Sequence, residues 1–481
     1  PPAAGSGRPR VRPRSMARSS STSTAGAWAL LSHNGKSARV VSPQTQSLLW
    51  GCWALATAAV CVAVPASSFP TLAAALQALL LSTALLPDDG SSAIPHCVGF
   101  TIPFIAFKGA LYGGPWAWYT LAYTFIGFPL TDLVCGVDLS EKRAAAAAPG
   151  PFRAYTLLVA PVVLFTILLA AHVASSPAHA LTTLETIGLG LGVGVFSGGV
   201  GMVAAHELCH RAQALEVLSG HALVAMVSYG HFAVEHTLGH HKRVATDEDP
   251  ATARHGESFW AFVARAVAGE LPSAWRLEKE RLRARGLPWH RNQLLPSFLA
   301  TALLYCLAHA LYGTRGLLVV ATQSAMAVLL FQSANYVEHY ALEREAGPTG
   351  GHEAVQARHS WDSPARFTNQ LLLNLQRHAD HHTRPGARYQ ELSVVQGSPK
   401  LPAGCARRAG AAGMRGALDP RSALTRPARP ADPTMVLVAM VPPLWRAVMH
   451  PRVEAHRRAL PAQKWRHGPS PGKVGERPAG G

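Results

Sequence analysis

Four short histidine groups carry the chemistry in this 481-residue chain. The first is His206-Glu207-Leu208-Cys209-His210 and the second is Glu235-His236-Thr237-Leu238-Gly239-His240-His241. The third is Asn335-Tyr336-Val337-Glu338-His339-Tyr340 and the fourth is Arg377-His378-Ala379-Asp380-His381-His382. They offer nine imidazoles: His206, His210, His236, His240, His241, His339, His378, His381 and His382. On a helix, positions i and i+4 share a face, so each spaced pair can aim at one ion. Nine ligands are too many for one ion, since zinc takes about four and a catalytic zinc about three from protein. Two metals with four or five ligands each would use them all. Imidazole suits iron, copper and zinc alike, so ligand type alone does not choose the metal.

The first group also fits HExxH, the metalloprotease pattern, with Glu207 as general base. A zinc protease needs one further ligand rather than seven, so the other groups speak against it. The acidic neighbours Glu207, Glu235, Glu338 and Asp380 have two readings. They accept the second ring N–H of a ligating histidine, or they pair locally with Arg211, Lys242, Arg243 or Arg377.

The rest of the chain must position these side chains. Hydrophobic residues make up 48% and charged residues 15%, against about 25% charged in soluble domains. This is too apolar for a disordered chain, and seven cysteines are too sparse for a disulfide scaffold. The net charge of +17 fits basic loops on one membrane face without invoking nucleic acid. Apolar runs at 94–112, 115–135, 152–174, 184–205, 294–312 and 316–334 each approach the length that crosses a core of ~30 Å. Runs at 47–64 and 69–86, punctuated by Pro65 and Pro70, offer an extra hairpin. Connections 113–114 and 175–183 lack acidic and basic side chains, and 313–315 carries only Arg315. Lys and Arg concentrate on the opposite side, which the positive-inside rule places in the cytoplasm or its equivalent. All four histidine groups fall there. The expected fold is an all-α integral membrane protein with six core transmembrane helices, or eight with the extra hairpin.

Segment 257–291 reads as an interfacial amphipathic helix followed by a basic surface helix. Residues 1–45 are Arg- and Ser-rich and acid-free, as in an organelle transit peptide or a basic disordered tail. The expected organisation is that leader, a hairpin region at 46–93, a main domain at 94–404, an atypical Arg/Ala/Pro-rich insert at 405–434, the end of the domain at 435–460, and a Pro/Gly-rich tail at 461–481. The insert reads as retained intron sequence or a lineage-specific loop.

The segments AAHELCHR, SYGHFAVEHTLGHHKRVATDEDPATARHGES, SANYVEHYAL, RHSWDS and LQRHADHHTRPGARYQEL resemble the integral-membrane alkane monooxygenases. These are non-haem diiron hydroxylases related to membrane fatty-acid desaturases and xylene monooxygenases. The likeness spans roughly 94–404 and 435–453, and the family's metal-binding histidines fall on the nine named above. Departures are Cys209 for Gly, Arg211 for Lys, Thr237 and Leu238 for Asn and a polar residue, and Ala341 for Gly. The resemblance implies two irons that activate O₂ reductively. One oxygen atom enters a terminal methyl group of an alkane and the other leaves as water. Relatives acting on fatty acyl or aromatic methyl groups are the alternative. It also implies a separate electron donor, rubredoxin or ferredoxin with its reductase, because no flavin or nicotinamide fingerprint and no CxxC pair occurs here. Arg281, Arg283 and Arg285 offer such an acidic carrier a docking surface.

Overall fold

The computed structural model describes residues 93–139, 149–347, 351–402 and 432–460, with a few isolated positions before residue 93. The expected leader, extra hairpin, insert and terminal tail lie almost wholly outside these residues. The chain divides into two compact units, Pro1–Cys52 and Trp53–Gly481. In the first, Trp28–Ala29 pairs antiparallel with Val40–Val41. The described part of the second is built of helices.

Ile94–Phe100 forms a 3-10 turn that runs into α1, Thr101–Tyr112. Gly113 ends α1 with φ 89°. The next apolar run is a relay rather than one helix. A 3-10 turn at Gly114–Trp118, a single helical turn at Tyr119–Ala122 and a π-turn at Tyr123–Gly127 lead into α2, Phe128–Cys135. Helix α3 covers Pro149–Ser175. Helix α4, Thr183–Phe196, opens on a capping box. Thr182 Oγ1 accepts the Glu185 N–H at 3.2 Å, and the Glu185 carboxylate accepts the Thr182 N–H at 2.8 Å. A second π-turn, Ser197–Gly201, carries α4 into α5, Met202–Cys209. Helix α6 is Ala214–Met226 and α7 is Phe259–Ala284. Segment 257–291, expected as two helices, is therefore dominated by one helix that passes through Pro272.

Helix α8, Leu294–His339, is two arms in one element. Gly313 breaks it with φ 62° and ψ −154°, a backbone conformation open to glycine at no steric cost. The Ser228 hydroxyl bonds Tyr305 at 3.2 Å on the first arm and Ser324 at 3.1 Å on the second. Those two positions lie on opposite sides of Gly313, and a Cβ on Gly316 would stand 2.5 Å from the Ala308 carbonyl oxygen, so the arms fold back antiparallel. Short helices α9 (Arg366–Leu371) and α10 (His378–Thr383) follow, then α11 (Asp432–Ala439) and α12 (Pro442–Ala459).

Among the described residues three stretches are long and apolar enough to cross a membrane: Gly150–Ser175, Thr183–Cys209 and Leu294–His339. Small residues let them approach closely. A Cβ on Gly194 would stand 2.6 Å from the Gln323 carbonyl oxygen, and one on Gly198 2.8 Å from Ala327 Cα. Helix α4 and the second arm of α8 thus meet backbone to backbone. One large apolar core runs through α1, α3, α4, α5 and α8. A second joins Phe259 and Phe262 of α7 to Tyr336, Trp361 and Trp445. The fourth histidine group is tied back to α2 by Asp132. Its carboxylate accepts the Phe367 and Thr368 N–H groups at 2.9 and 3.2 Å and the Thr368 hydroxyl at 2.7 Å.

Candidate metal centre

The nine histidines come together in two groups. His206, His210, His236, His241 and His381 form one; His240, His339, His378 and His382 form the other. Within each group the donor atoms lie within 4.8 Å of one another. In the first, Nε2 atoms meet at 3.0 Å (His210–His236), 2.9 Å (His236–His241), 3.2 Å (His210–His241) and 3.0 Å (His241–His381). In the second they meet at 3.2 Å (His240–His382), 2.9 Å (His378–His382) and 3.0 Å (His339–His378).

A neutral imidazole nitrogen either donates or accepts one hydrogen bond. Three mutually facing nitrogens, as in His210, His236 and His241, cannot all be satisfied by one another. A cation satisfies them all at once. Neighbouring donors about 3 Å apart suit ligands at right angles, each ~2.1 Å from a shared ion. The donor set therefore fits metal ions.

Local backbone geometry decides which histidine joins which group. His206 and His210, four apart on α5 and its C-cap, share the first group. His378 and His382, four apart on α10, share the second. His236 and His240 have the same spacing but part company. They sit in a third π-turn, Glu235–His240, where the wider i→i+5 repeat brings His236 and His241 to one side. Chain neighbours are thereby divided: His240 from His241, and His381 from His382.

Electrostatics keep most of these rings neutral. Burial, then the Arg211 guanidinium, pushes His210 down to about 4. Burial and the facing His210 ring push His241 down to about 2. His240 differs. Burial alone would lower it, but Asp249 raises it above the ordinary imidazole value. Asp249 is buried and its Oδ2 lies 2.8 Å from His240 Nδ1. It also accepts the Thr252 hydroxyl at 2.6 Å and the Ala251 N–H at 3.1 Å.

The acidic neighbours named from the motifs behave otherwise. Glu207 pairs with Arg211 at 2.7 Å, Glu235 with Arg243 at 2.5 Å and Asp380 with Arg384 at 2.5 Å. Arg377 reaches Asp138 instead, at 2.9 Å. Glu338 alone of the four approaches a histidine of the groups, with Oε2 3.4 Å from His378 Nε2. The motifs did not single out Asp249. It lies nine residues past His240 in an acidic run, Asp247-Glu248-Asp249, and its spacing gives no ligand-like signal. Arg281 is held by Glu278 at 2.6 Å, whereas Arg283 and Arg285 are exposed. Cys209 turns its thiol back to the His206 carbonyl at 2.9 Å.

An apolar cavity of about 150 Å³ opens onto the histidines. Its walls come from α1 (Ile102), the first π-turn (Phe125), α2 (Phe128), α5 (Met202, Val203) and the second arm of α8 (Leu330, Phe331). His206 and His236 of the first group, His378 of the second and Glu338 line its polar end. The first two π-turns also border it, through Thr124 and Gly198.

The fatty acid desaturase family model matches residues 181–409. Alkane 1-monooxygenase 2 of Pseudomonas aeruginosa is 34% identical over 75% of this chain and 90% of its own length. Alkane 1-monooxygenase 1 of the same organism is 36% identical over 71% and 84%. Alkane 1-monooxygenase 2 of Alcanivorax borkumensis is 32% identical over 76% and 91%.

The chain belongs to the alkane 1-monooxygenase family.

It is an oxidoreductase of the monooxygenase type in a non-haem iron family. Among the described residues the two histidine groups are the sites able to hold metal.

Proposed function

We propose that the protein is a membrane-bound diiron monooxygenase that converts medium- or long-chain alkanes to primary alcohols, using O₂ and electrons from rubredoxin or a ferredoxin. The observation that carries this reading is a largely apolar cavity that reaches histidines of both groups, His206 and His236 of the first and His378 of the second. His206, His210, His236, His241 and His381 would hold one iron, and His240, His339, His378 and His382 the other. Bound iron supplies reductive activation of O₂.

The chain's own residues do the rest. An alkane has no polar handle, so Ile102, Phe125, Phe128, Met202, Leu330 and Phe331 bind it by burying apolar surface. A chain that enters this cavity end-on meets the histidines with its terminal carbon. That favours the terminal carbon by shape, although its C–H bonds are the strongest in the molecule. Glu338 sits where cavity and second group meet, placed to hold or pass a proton as water forms. Asp249 orients His240 so that its Nε2 faces the group. The membrane frame of this reading is six spans, with the two arms of α8 as the last pair and the histidines on the cytoplasmic or equivalent face. The test is product analysis with isotopically labelled alkane, fatty acid and methyl-arene, each supplied with rubredoxin and its reductase. Primary alcohol from the alkane is the expected outcome. Product from only the fatty acid or the arene would move the protein to a related substrate class.

A further inference from the structure

Helix α7 carries its apolar residues on two faces. The buried face is ordinary: Phe259, Phe262, Ala266 and Ala274 are enclosed. The outward face is not. Between residues 260 and 275 every exposed position is apolar. Trp260, Val267, Leu271 and Trp275 lead it, with Trp260 52% and Trp275 46% exposed. Their spacing of seven, four and four keeps them on one stripe. Fully exposed charge appears only from Arg276 onward, with Lys279 and Glu280 one turn later, and the partly exposed Arg265 is bound by Glu257 at 2.7 Å. A helix facing water over four turns would not present two tryptophans and no fully exposed charge.

The placement of α7 says what covers that stripe. At its start, Phe259 and Phe262 pack on Tyr336, with ring centroids 5.6 and 5.3 Å apart. Tyr336 lies three residues before the end of α8. Further along, Ala274 is buried with Leu294, and Leu277 and Phe298 pack beside them. Leu294 is the first residue of α8. Because the two arms of α8 are antiparallel, its first and last turns lie at the same end of the hairpin. Helix α7 therefore runs across the open end of a pair of candidate membrane-crossing arms. The first arm carries its own exposed row at four-residue spacing, Leu299, Leu303, Leu307 and Leu311, beginning one turn past the α7 contact.

We infer that the Trp260–Trp275 face of α7 is immersed in the bilayer at the headgroup–acyl boundary, with Arg276 and Lys279 on anionic headgroups. Tryptophans at both ends of the stripe match the interfacial preference of that side chain. A basic turn beside an apolar face matches attraction to anionic lipid. The opposite face of the same helix carries Glu270, which accepts the Tyr229 hydroxyl at 2.8 Å and the Gln332 amide at 2.8 Å. Membrane anchorage is thereby joined to the second arm of α8 and to the segment that leads into the metal-bearing π-turn.

The inference rests on α8 crossing the membrane, so carbonate extraction comes first. Extraction of the protein would remove that reading itself. For protein that stays in the membrane, the full chain and a Trp260→Phe/Trp275→Phe variant are reconstituted in phosphatidylcholine–phosphatidylglycerol vesicles, with and without brominated acyl chains. Iron content of the variant reports that it folds. The fluorescence lost through the two substitutions is the signal of interest. Brominated chains are expected to quench at least half of it, and aqueous acrylamide little. Quenching by acrylamide alone would overturn the inference. So would protection from both quenchers that depends on the protein-to-lipid ratio, which would mark a second copy as the cover. Leu271→Asp in a Trp260→Phe background gives an independent reading: a red shift of the emission that a further Trp275→Phe removes is expected, and an unchanged spectrum contradicts burial in lipid.

Discussion

Asp249 Oδ2 stands 2.8 Å from His240 Nδ1, and the opposite nitrogen of that ring faces His382 Nε2 at 3.2 Å. The carboxylate fixes the tautomer and leaves the Nε2 lone pair directed into the second group. Partners of this kind contribute about 10–100-fold to metal affinity. Asp249→Asn keeps the shape and removes the charge. It is expected to weaken one of two irons by about that factor, read by competition with a chelator. Equal affinity for both irons in variant and parent would show that the contact does not serve the metal.

The same pair predicts an unequal response to pH. Asp249 raises the His240 value, so as pH falls through the neutral range His240 takes up a proton before the other rings do. Protonation competes with metal. His210 and His241, held down to about 4 and about 2, stay neutral over that interval. Iron in the second group should therefore leave first on mild acidification, with roughly half the metal retained. Simultaneous loss of both irons would contradict this order.

His339 supplies one of four donors in the second group. His339→Ala is expected to abolish turnover and lower iron content, while the first group keeps its five donors. Iron analysis with a single-turnover assay decides it. A fully active variant would remove His339 from the site.

Ala341 has φ 59°, in the left-handed region, and is buried. Its N–H donates to the Ala253 carbonyl at 2.9 Å, which holds it there. An alanine in that conformation costs roughly 1–2 kcal/mol relative to a favourable one. Ala341→Gly should stabilise the protein by about 1 kcal/mol, visible as a higher midpoint of thermal inactivation with unchanged product. A lower midpoint would mean that lost side-chain packing outweighs the relief.

Arg283 and Arg285 project beyond the lipid-facing stretch of α7, next to Arg281. Reversing all three to Glu is expected to slow reduction by rubredoxin and flatten its dependence on salt. Stopped-flow kinetics with unchanged rates would place the donor elsewhere.

Much of this site was legible in the sequence. All nine donors stood out because imidazoles at helical spacing on one membrane side are costly without a function. The break at 313–315 was legible from its lack of apolar residues, and α3 and α4 from length and hydropathy. The sorting of donors was not. It depends on a π-turn, and no residue type announces one, so His236 and His240 read as a pair. Asp249 was hidden because an acid in a run of acids looks like a solvated loop until burial is known. The relay before α2 was hidden for a related reason: its aromatic residues satisfy a helix pattern and a broken one equally well.

The division of neighbours has a thermodynamic consequence. His240 and His241 share a peptide bond, as do His381 and His382, and each pair serves both groups. Ordering either group therefore fixes backbone that the other also needs. The entropy of organising these two segments is spent by whichever ion arrives first, and the second binds to a largely prepared frame. Metal uptake is expected to be positively cooperative, with the first ion raising the affinity for the second in an iron titration at constant pH.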